Sequence, residues 1–290
     1  MNYDYANTVK RRSLKRLFHL NQRTKMIVTS CLALFLLLFI MIYGHFIDET
    51  AIEMDLNSQS QAPSLAHPFG TDWIGRDMFV RTMKGMSISI WVGIIASLAS
   101  SFISIIIGSI AAFFGKKVDK VITWFIDVTM GMPMLIFMIL LSVLFGKGIQ
   151  GIIIGLVLTH WVYLARVVRA EVMQIRSSPY VKVSQSFGKS KGYIMIHHII
   201  PHALPQFIVG AVLMFPHAIL HEAALTFLGF GLPVTQPAIG IILSESMGYL
   251  STGLWWLAVI PGLALVVMVR IFDILGDQLQ LFIDPKRAQE

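Results

Sequence analysis

Charged residues and cysteines are both scarce in this 290-residue chain. Only 13% of its residues are Asp, Glu, Lys or Arg, against about 25% in a typical soluble domain. Hydrophobic residues make up 56%, and the mean hydropathy is +0.71. The single cysteine, Cys31, lies in an apolar run and excludes a disulfide framework. This composition is that of an integral membrane protein.

Nucleotide-binding and catalytic motifs are also missing. Residues 188–190 read GKS, but a P-loop needs another glycine five residues before Gly188, and Val183 stands there. The pair His221-Glu222 begins a string like the HExxH of zinc proteases, yet Leu225 replaces the second histidine. The sequence therefore predicts a protein without a catalytic site, a cofactor or an energy source of its own.

Six apolar segments are long enough to cross a bilayer, for which about 20 residues are needed. The first is too long for a signal peptide and lacks a small-residue cleavage site, so we expect it to be retained. The sequence predicts an all-α membrane protein with six transmembrane helices. We place these at residues 26–44, 87–114, 121–145, 149–168, 205–227 and 254–276.

The basic residues predict the orientation, because Lys and Arg accumulate in cytoplasmic loops. With the N-terminus inside, all but four of the 23 Lys and Arg residues fall on the cytoplasmic side. Both termini are thus predicted inside, and the distribution favours a lipid bilayer over nucleic acid as the partner. The predicted parts are a cytoplasmic segment at 1–25, the first helix at 26–44, an external loop at 45–86, a five-helix core at 87–276 and a cytoplasmic tail at 277–290.

One polar interruption, residues 177–205, separates the fourth and fifth spans. Within it we expect a short helix at about 180–190, ended by Gly188 or Gly192 and lying parallel to the membrane. Such a helix is what a docking segment in the groove of a partner would look like. Lys182 and Ser186 are predicted to be exposed, and Tyr180, Val183 and Phe187 to be buried.

The external loop ends in the stretch HPFGTDWIGRD, residues 67–77. Its turn residues and paired charges predict a compact, hydrogen-bonded structure at the outer mouth, with Gly70, Asp72, Arg76 and Asp77 as its candidate residues. Two interpretations stay open. The loop either packs on the second span without touching substrate, or it meets an external partner.

Polar residues within spans are costly and need partners. For Asp127, near the inner end of the third span, a structural partner is favoured over a proton relay. In the fifth span, His217 and His221 are four residues apart and share a helical face beside Glu222. These side chains either hydrogen-bond to neighbouring helices or give a permeation path a polar lining. The spacing of the two histidines would also suit a metal.

Several stretches resemble one known family. In the polar loop these are Gly188, His198 and Pro201, with Tyr180 leading in; elsewhere they are residues 67–77, EAALTFLGFGLP (222–233) and LGDQLQLFIDPK (275–286). From about residue 26 the chain resembles the inner-membrane permeases of ABC importers in the oligopeptide, dipeptide and nickel group, C-type subunit. It departs from the family's E-A-A triplet, where Lys182-Val183-Ser184 stands, and carries His197 and His202 where a basic residue and Asn are usual.

The resemblance implies a bacterial inner-membrane importer of peptides or of nickel or cobalt chelates. Its partners would be a second homologous permease, two cytoplasmic ATP-binding subunits and an extracellular or periplasmic substrate-binding protein. The residues implied in ATPase contact are Tyr180, Lys182, Phe187 and Gly188, and the loops 67–77 and 226–240 would meet the binding protein. The alternative is a self-sufficient channel or ion-coupled transporter, for which the spans offer few carboxylates and no visible repeat.

Overall fold

The computed structural model of the protein describes residues 22–283. The predicted segment 1–25 falls mostly, and the predicted tail 277–290 partly, outside this range. Over the described range the secondary structure is helical, apart from an isolated β-bridge between Thr71 and Asp77. The helices are α1 (Gln22–Phe46), α2 (Met78–Phe114), α3 (Lys116–Gly131), α4 (Met134–Leu144), α5 (Ile149–Ser177), α6 (Pro179–Ser186), α7 (Lys191–Ile194), α8 (Ile200–Phe227), α9 (Ile239–Met247) and α10 (Trp256–Ile283).

Five of these helices, α1, α2, α5, α8 and α10, are long and apolar enough to cross a membrane. The longest, α2, has 37 residues and is therefore about 55 Å long at 1.5 Å per residue. It exceeds the hydrocarbon thickness of about 30 Å and begins nine residues before the predicted 87–114. The α-helical, multi-spanning architecture is confirmed.

The third predicted span is not one helix. Instead of continuing through 121–145, the chain forms α3 and α4, which meet at an angle of 97°. Pro133 lies at the junction, and Met132 before it has an extended backbone (φ −89°, ψ 142°). A proline lacks the N–H that the helix needs and pushes its predecessor out of the helical region, so the break has a local cause. The pair forms a sixth span only if the bent helices are taken together.

The long helices run between two ends of the bundle. We call the end that holds residues 178–199 the α6 end, because α5 finishes there and α8 begins there. The mouth end holds residues 47–77 and 228–255, on the other side of α2 and α8. The Nη1 of Arg176 donates to the carbonyl oxygen of Ala112 at 2.9 Å and joins α5 to the last turn of α2 at the α6 end. Which end faces the cytoplasm stays a prediction from the basic residues.

Small residues let α2 and α5 pack closely along most of their length. The buried face of α2 carries Ser100, Ser104 and Gly108, and the hydroxyl of Ser104 donates to the carbonyl oxygen of Trp161 at 2.8 Å. A Cβ added to Gly108 would lie 2.7 Å from the carbonyl oxygen of Ala165. Close approach at small residues is how helices associate without a hydrophobic driving force in lipid.

We predict that Gly108→Ala lowers the stability of the folded chain, whereas Gly131→Ala does not. The first methyl group overpacks the α2–α5 contact, at a cost of about 1–3 kcal/mol. Nothing lies within 4 Å of a Cβ at Gly131, where alanine instead gains up to about 1 kcal/mol of helix propensity. Thermal unfolding of the two variants in detergent measures the difference. Equal melting temperatures would show that the α2–α5 contact adapts freely.

Candidate functional site

The short helix α6 forms because its ends are well determined. Ser178 before it is extended, and Pro179 occupies the first helical position, where its missing N–H has no cost. After the helix, Gly188 adopts a left-handed conformation (φ +73°). Its N–H donates to Gln185 at 2.9 Å, and the N–H of Lys189 donates to Ser184 at 3.2 Å, so the last carbonyl groups are satisfied. The predicted short helix is present, at Pro179–Ser186; its docking role stays a prediction.

Three contacts fix α6 on the bundle. Val181 is fully buried among apolar side chains of α5, α8 and the segment between α7 and α8. One turn later, Ser184 forms a 3.1 Å hydrogen bond with Nε2 of His198. The ring of Tyr180 also lies 5.6 Å from that of His202. Residues at i and i+3 share a helical face, so Val181 and Ser184 make the inner face of α6.

The predicted burial pattern of α6 was partly wrong. Lys182 is exposed as expected, but Tyr180, Val183 and Phe187 are exposed by 40%, 54% and 80% rather than buried. With Val181 and Ser184 directed inwards, these side chains fall on the outer sides of the helix. The result is an apolar and basic surface that this chain leaves uncovered, on a helix that is itself held in place.

At the mouth end, a buried ion network joins loop 67–77 to two helices. The carboxylate of Asp72 is fully buried and accepts from Nε of Arg76 at 2.6 Å and from Nη1 of Arg81, on α2, at 2.9 Å. Backbone N–H groups of Ile74 and Arg76 donate to the same carboxylate. Both arginines also donate to Glu245 on α9, at 3.1 and 2.9 Å.

Other candidates at the mouth hold the loop in shape. Asp77 caps α2 by accepting from the N–H groups of Phe79 and Val80, and it pairs with Nδ1 of His67 at 2.7 Å. Gly70 has φ +73°, and a Cβ there would lie 2.6 Å from the carbonyl oxygen of Gln61. The prediction of a compact, hydrogen-bonded loop is confirmed.

The segment before this loop is held in the same way. The Ser58 hydroxyl and the Asn57 backbone N–H donate to the carboxylate of Asp55 and hold the pKa of that side chain below its usual value. The backbone of Asp55 lies directly against Gly75, where no Cβ would fit. Residues 55–77 therefore form one ordered unit.

A cavity of 530 Å³ opens beside the ion network. It is lined by parts of residues 147–150, 226–236 and 241–245, including Lys147 and Glu245. The buried Oε1 of Gln236, which also lines it, has no hydrogen-bond partner among the described residues. Charged and amide groups thus face an open space at the mouth end.

A second cavity, of 310 Å³, contains the histidines of the fifth predicted span. His217 and His221 both line it, and they are joined by His160 of α5, whose Nε2 lies 3.3 Å from Nδ1 of His221. Sequence reasoning missed His160, because a lone histidine in an apolar span gives no sign of its partner. Among residues 22–283, no group of three or more His, Cys, Asp or Glu side chains is placed to hold a metal ion.

Glu222 does not share this cavity. Its side chain is fully buried and accepts from the hydroxyl groups of Ser89 at 2.6 Å and Thr226 at 3.0 Å. Of the two interpretations left open for Glu222, the structure shows hydrogen bonds within the bundle and not a place beside His217 and His221, since adjacent helical residues point about 100° apart. Asp127, by contrast, has the expected structural partner, Arg166, at 2.7 Å.

Residues 104–289 match the family described as the binding-protein-dependent transport system inner membrane component. This chain belongs to that family. It is 35% identical over 285 residues to the dipeptide transport system permease protein DppC of Bacillus subtilis strain 168, covering 97% of this chain and 89% of the relative. To the oligopeptide permease OppC of the same organism it is 36% identical over 232 residues, covering 80% and 76%.

The fold of the permease is also found in a solved structure. The inward-facing MetNI methionine ABC transporter matches with a TM-score of 0.54 and 17% identity, covering 68% of this chain and 94% of that one. The resemblance in sequence and the arrangement of the helices thus agree. The chain is a multi-pass permease of the bacterial inner membrane and a component of a binding-protein-dependent ABC importer.

We predict that Asp72→Asn destabilises the permease by about 3–5 kcal/mol, because it leaves buried arginines without full compensation. The matched control is Asp127→Asn, which breaks an ion pair whose two side chains are more than half exposed and costs less than about 1 kcal/mol. Thermal unfolding in detergent compares them. Similar melting temperatures for both variants would show that the mouth network adds little stability.

Proposed function

We propose that this permease imports peptides as one half of a translocation path, the other half being a second homologous permease. Two separate cytoplasmic ATP-binding subunits would drive it, and an external substrate-binding protein would deliver the peptide. The observation that carries the proposal is the uncovered surface of α6, whose inner face is fixed while Tyr180, Lys182 and Phe187 point outwards. The permease itself needs no cofactor in this scheme.

The chemistry of α6 suits a protein partner. Aromatic side chains dominate the energetics of protein interfaces. Tyr180 in the first turn of α6 and Phe187 directly after its last residue are both exposed, as is Lys182. Gly188 leaves open space beside them, since nothing lies within 4 Å of a Cβ there. We assign these four residues to the contact with an ATP-binding subunit.

Motion of α6 would reach two long helices. The helix follows α5 through Ser178 alone. It contacts the segment that leads into α8 through the Ser184–His198 hydrogen bond, and α8 itself through the rings of Tyr180 and His202. A shift of α6 therefore displaces the ends of both α5 and α8. ATP shifts this equilibrium only if the closed ATPase dimer binds it better than the open dimer does.

In this proposal the substrate-binding protein contacts the mouth end, as the ATP-binding subunit contacts α6. Loops 67–77 and 226–240 lie there, the first held by the Asp72 network and the second lining the 530 Å³ cavity with Gln236. Gly70, Asp72, Arg76 and Asp77 act in this proposal by keeping the first loop in shape for docking, rather than by touching substrate.

Peptides are the substrates that the comparisons favour, since the relatives are named as dipeptide and oligopeptide permeases. Nickel or cobalt chelates are the second candidate that the sequence raised, and the imidazoles around the 310 Å³ cavity are the observation in their favour. A free metal ion finds no three-ligand group among residues 22–283. A self-sufficient transporter gains no support, because Asp127, Glu222 and Asp273 all have local partners.

We predict that Gly188→Arg weakens retention of the ATP-binding subunits by roughly 30-fold, as loss of a hot-spot contact of about 2 kcal/mol would do. Gly253→Arg is the matched control. Gly253 also has positive φ and open space around it, but it lies at the mouth end, so both variants carry the same backbone strain. Co-purification of the ATP-binding subunits in detergent is the measurement. Equal retention in both variants would remove α6 from the contact.

We also predict that cells with the complete transporter take up a labelled dipeptide, and that Gly188→Arg abolishes this uptake. Parallel assays with labelled nickel and cobalt show whether metal enters through the same permease. Uptake of metal without uptake of peptide would overturn the peptide assignment. Cells in which the permease has been deleted supply the background.

A further inference from the structure

The 310 Å³ cavity lies between α4, α5 and α8, well below the mouth end. His221 is six residues before the end of α8 and His160 is eleven residues after the start of α5, which places them about 9–16 Å into the bundle at 1.5 Å per residue. His217 and Tyr163, which line the cavity with Met134 and Met214, are exposed in the single chain. The cavity therefore opens on a side that this chain does not cover.

The hydrogen bonds around His160 determine which of its nitrogens carries the proton. Its Nδ1 lies 2.9 Å from the carbonyl oxygen of Leu156, and a carbonyl oxygen only accepts, so Nδ1 is the donor. The Nε2 of the neutral ring then holds a lone pair. His160 is 4% exposed, and burial in an apolar environment favours the neutral ring.

The position of the proton on His221 follows from that on His160. Its Nδ1 lies 3.3 Å from Nε2 of His160, the atom that holds the lone pair. A lone pair calls for a donor, so Nδ1 of the neutral His221 ring carries the proton and Nε2 holds the lone pair. That Nε2 has no hydrogen-bond partner in the part of the chain that the structure describes. Hydrogen bonds thus run from Nδ1 of His221 to His160 and from His160 to the carbonyl oxygen of Leu156. At the other end of this chain, Nε2 of His221 is left as an unused acceptor.

We propose that this cavity is a transit site for the terminal ammonium group of a peptide, with Nε2 of His221 as its acceptor. The inference rests on the proposed function and names the part of the substrate that the permease itself recognises. His160 is a positioning residue, since it fixes the tautomer of His221. Tyr163 offers an aromatic ring and a hydroxyl, and the thioethers of Met134 and Met214 are weak acceptors.

Because Nε2 of His221 accepts a hydrogen bond and cannot donate one, the site favours an ammonium group over other ligands. A substrate carboxylate at Nε2 would place its lone pairs against that of the imidazole, whereas an ammonium group donates to it. A metal ion would accept the lone pair, and ligating histidines do donate their other N–H to carbonyl groups. It would lack a complete ligand set, however, because no group of three or more His, Cys, Asp or Glu side chains among residues 22–283 is arranged to hold a metal ion.

The test uses the complete transporter in lipid nanodiscs without the binding protein. Radiolabelled trialanine and N-acetyl-trialanine are titrated by equilibrium dialysis. We expect the free amine to bind roughly tenfold more tightly, as loss of one hydrogen bond to a charged group would cost. His221→Phe should abolish this preference and His160→Phe should reduce it, whereas His160→Gln should restore it in part, because its amide oxygen accepts from His221. His45→Phe, on α1, is the control.

Each outcome decides the matter. Equal binding of the two peptides by the wild type, or an unchanged preference in His221→Phe, overturns the assignment. Saturable binding of nickel chloride alone that His221→Phe removes would make the cavity a metal site instead. Retention of the ATP-binding subunits by His221→Phe shows that the variant is folded. If cells import dipeptide but the transporter does not prefer trialanine over N-acetyl-trialanine, only this inference fails. If cells import no dipeptide, the proposed function itself fails.

Discussion

The hydrocarbon core of a bilayer contains no water, so a polar group placed there must find its partner within the protein. A polar group that is buried within the protein at either end of the bundle has the same need. Glu222 accepts from two hydroxyl groups, Ser104 donates to a backbone carbonyl, and Asp72 binds two arginines in a fully buried position. The bonds from Ser89 to Glu222 and from Ser104 to Trp161 cross between helices, and the bond from Arg81 to Asp72 joins α2 to a loop. The requirement to satisfy polar groups therefore also determines how the helices are held together.

Hydropathy predicted the spanning helices well because chain length and apolar content alone decide whether a helix can cross a bilayer. It did not predict how helices pair or bend. Pro133 was visible in the sequence, but a proline indicates only where a helix can break, not the angle between the two halves, which is 97° here. Likewise, the periodicity of α6 did not reveal that Val181 is its inward residue, since eight residues allow several choices of face. His160 and Glu245 became meaningful only when the fold brought them to His221 and to the arginines of the mouth.

The structure of α6 also clarifies the departure from the family's E-A-A triplet. Lys182-Val183-Ser184 replaces a carboxylate and two small apolar residues, yet the helix is still seated. Ser184 bonds to His198, and Val181 supplies the apolar anchor one turn earlier. Because the anchor lies outside the triplet, the triplet positions 182 and 183 are free to face outwards. A basic and an apolar side chain at those positions change the surface offered to a partner without changing how the helix is attached.

The two cavities differ in the strength of binding that their chemistry allows. The mouth cavity contains the charged side chains of Lys147 and Glu245, whereas the deeper cavity contains imidazole and phenol rings and thioethers. A transported molecule must bind well enough to enter a site and weakly enough to leave it. One acceptor at the end of a hydrogen-bonded chain meets both needs, because it orients a donor group without surrounding it. A site with three metal ligands or a buried counter-charge would hold its ligand and slow transport. The incomplete set of partners around His221 is therefore consistent with transit rather than storage.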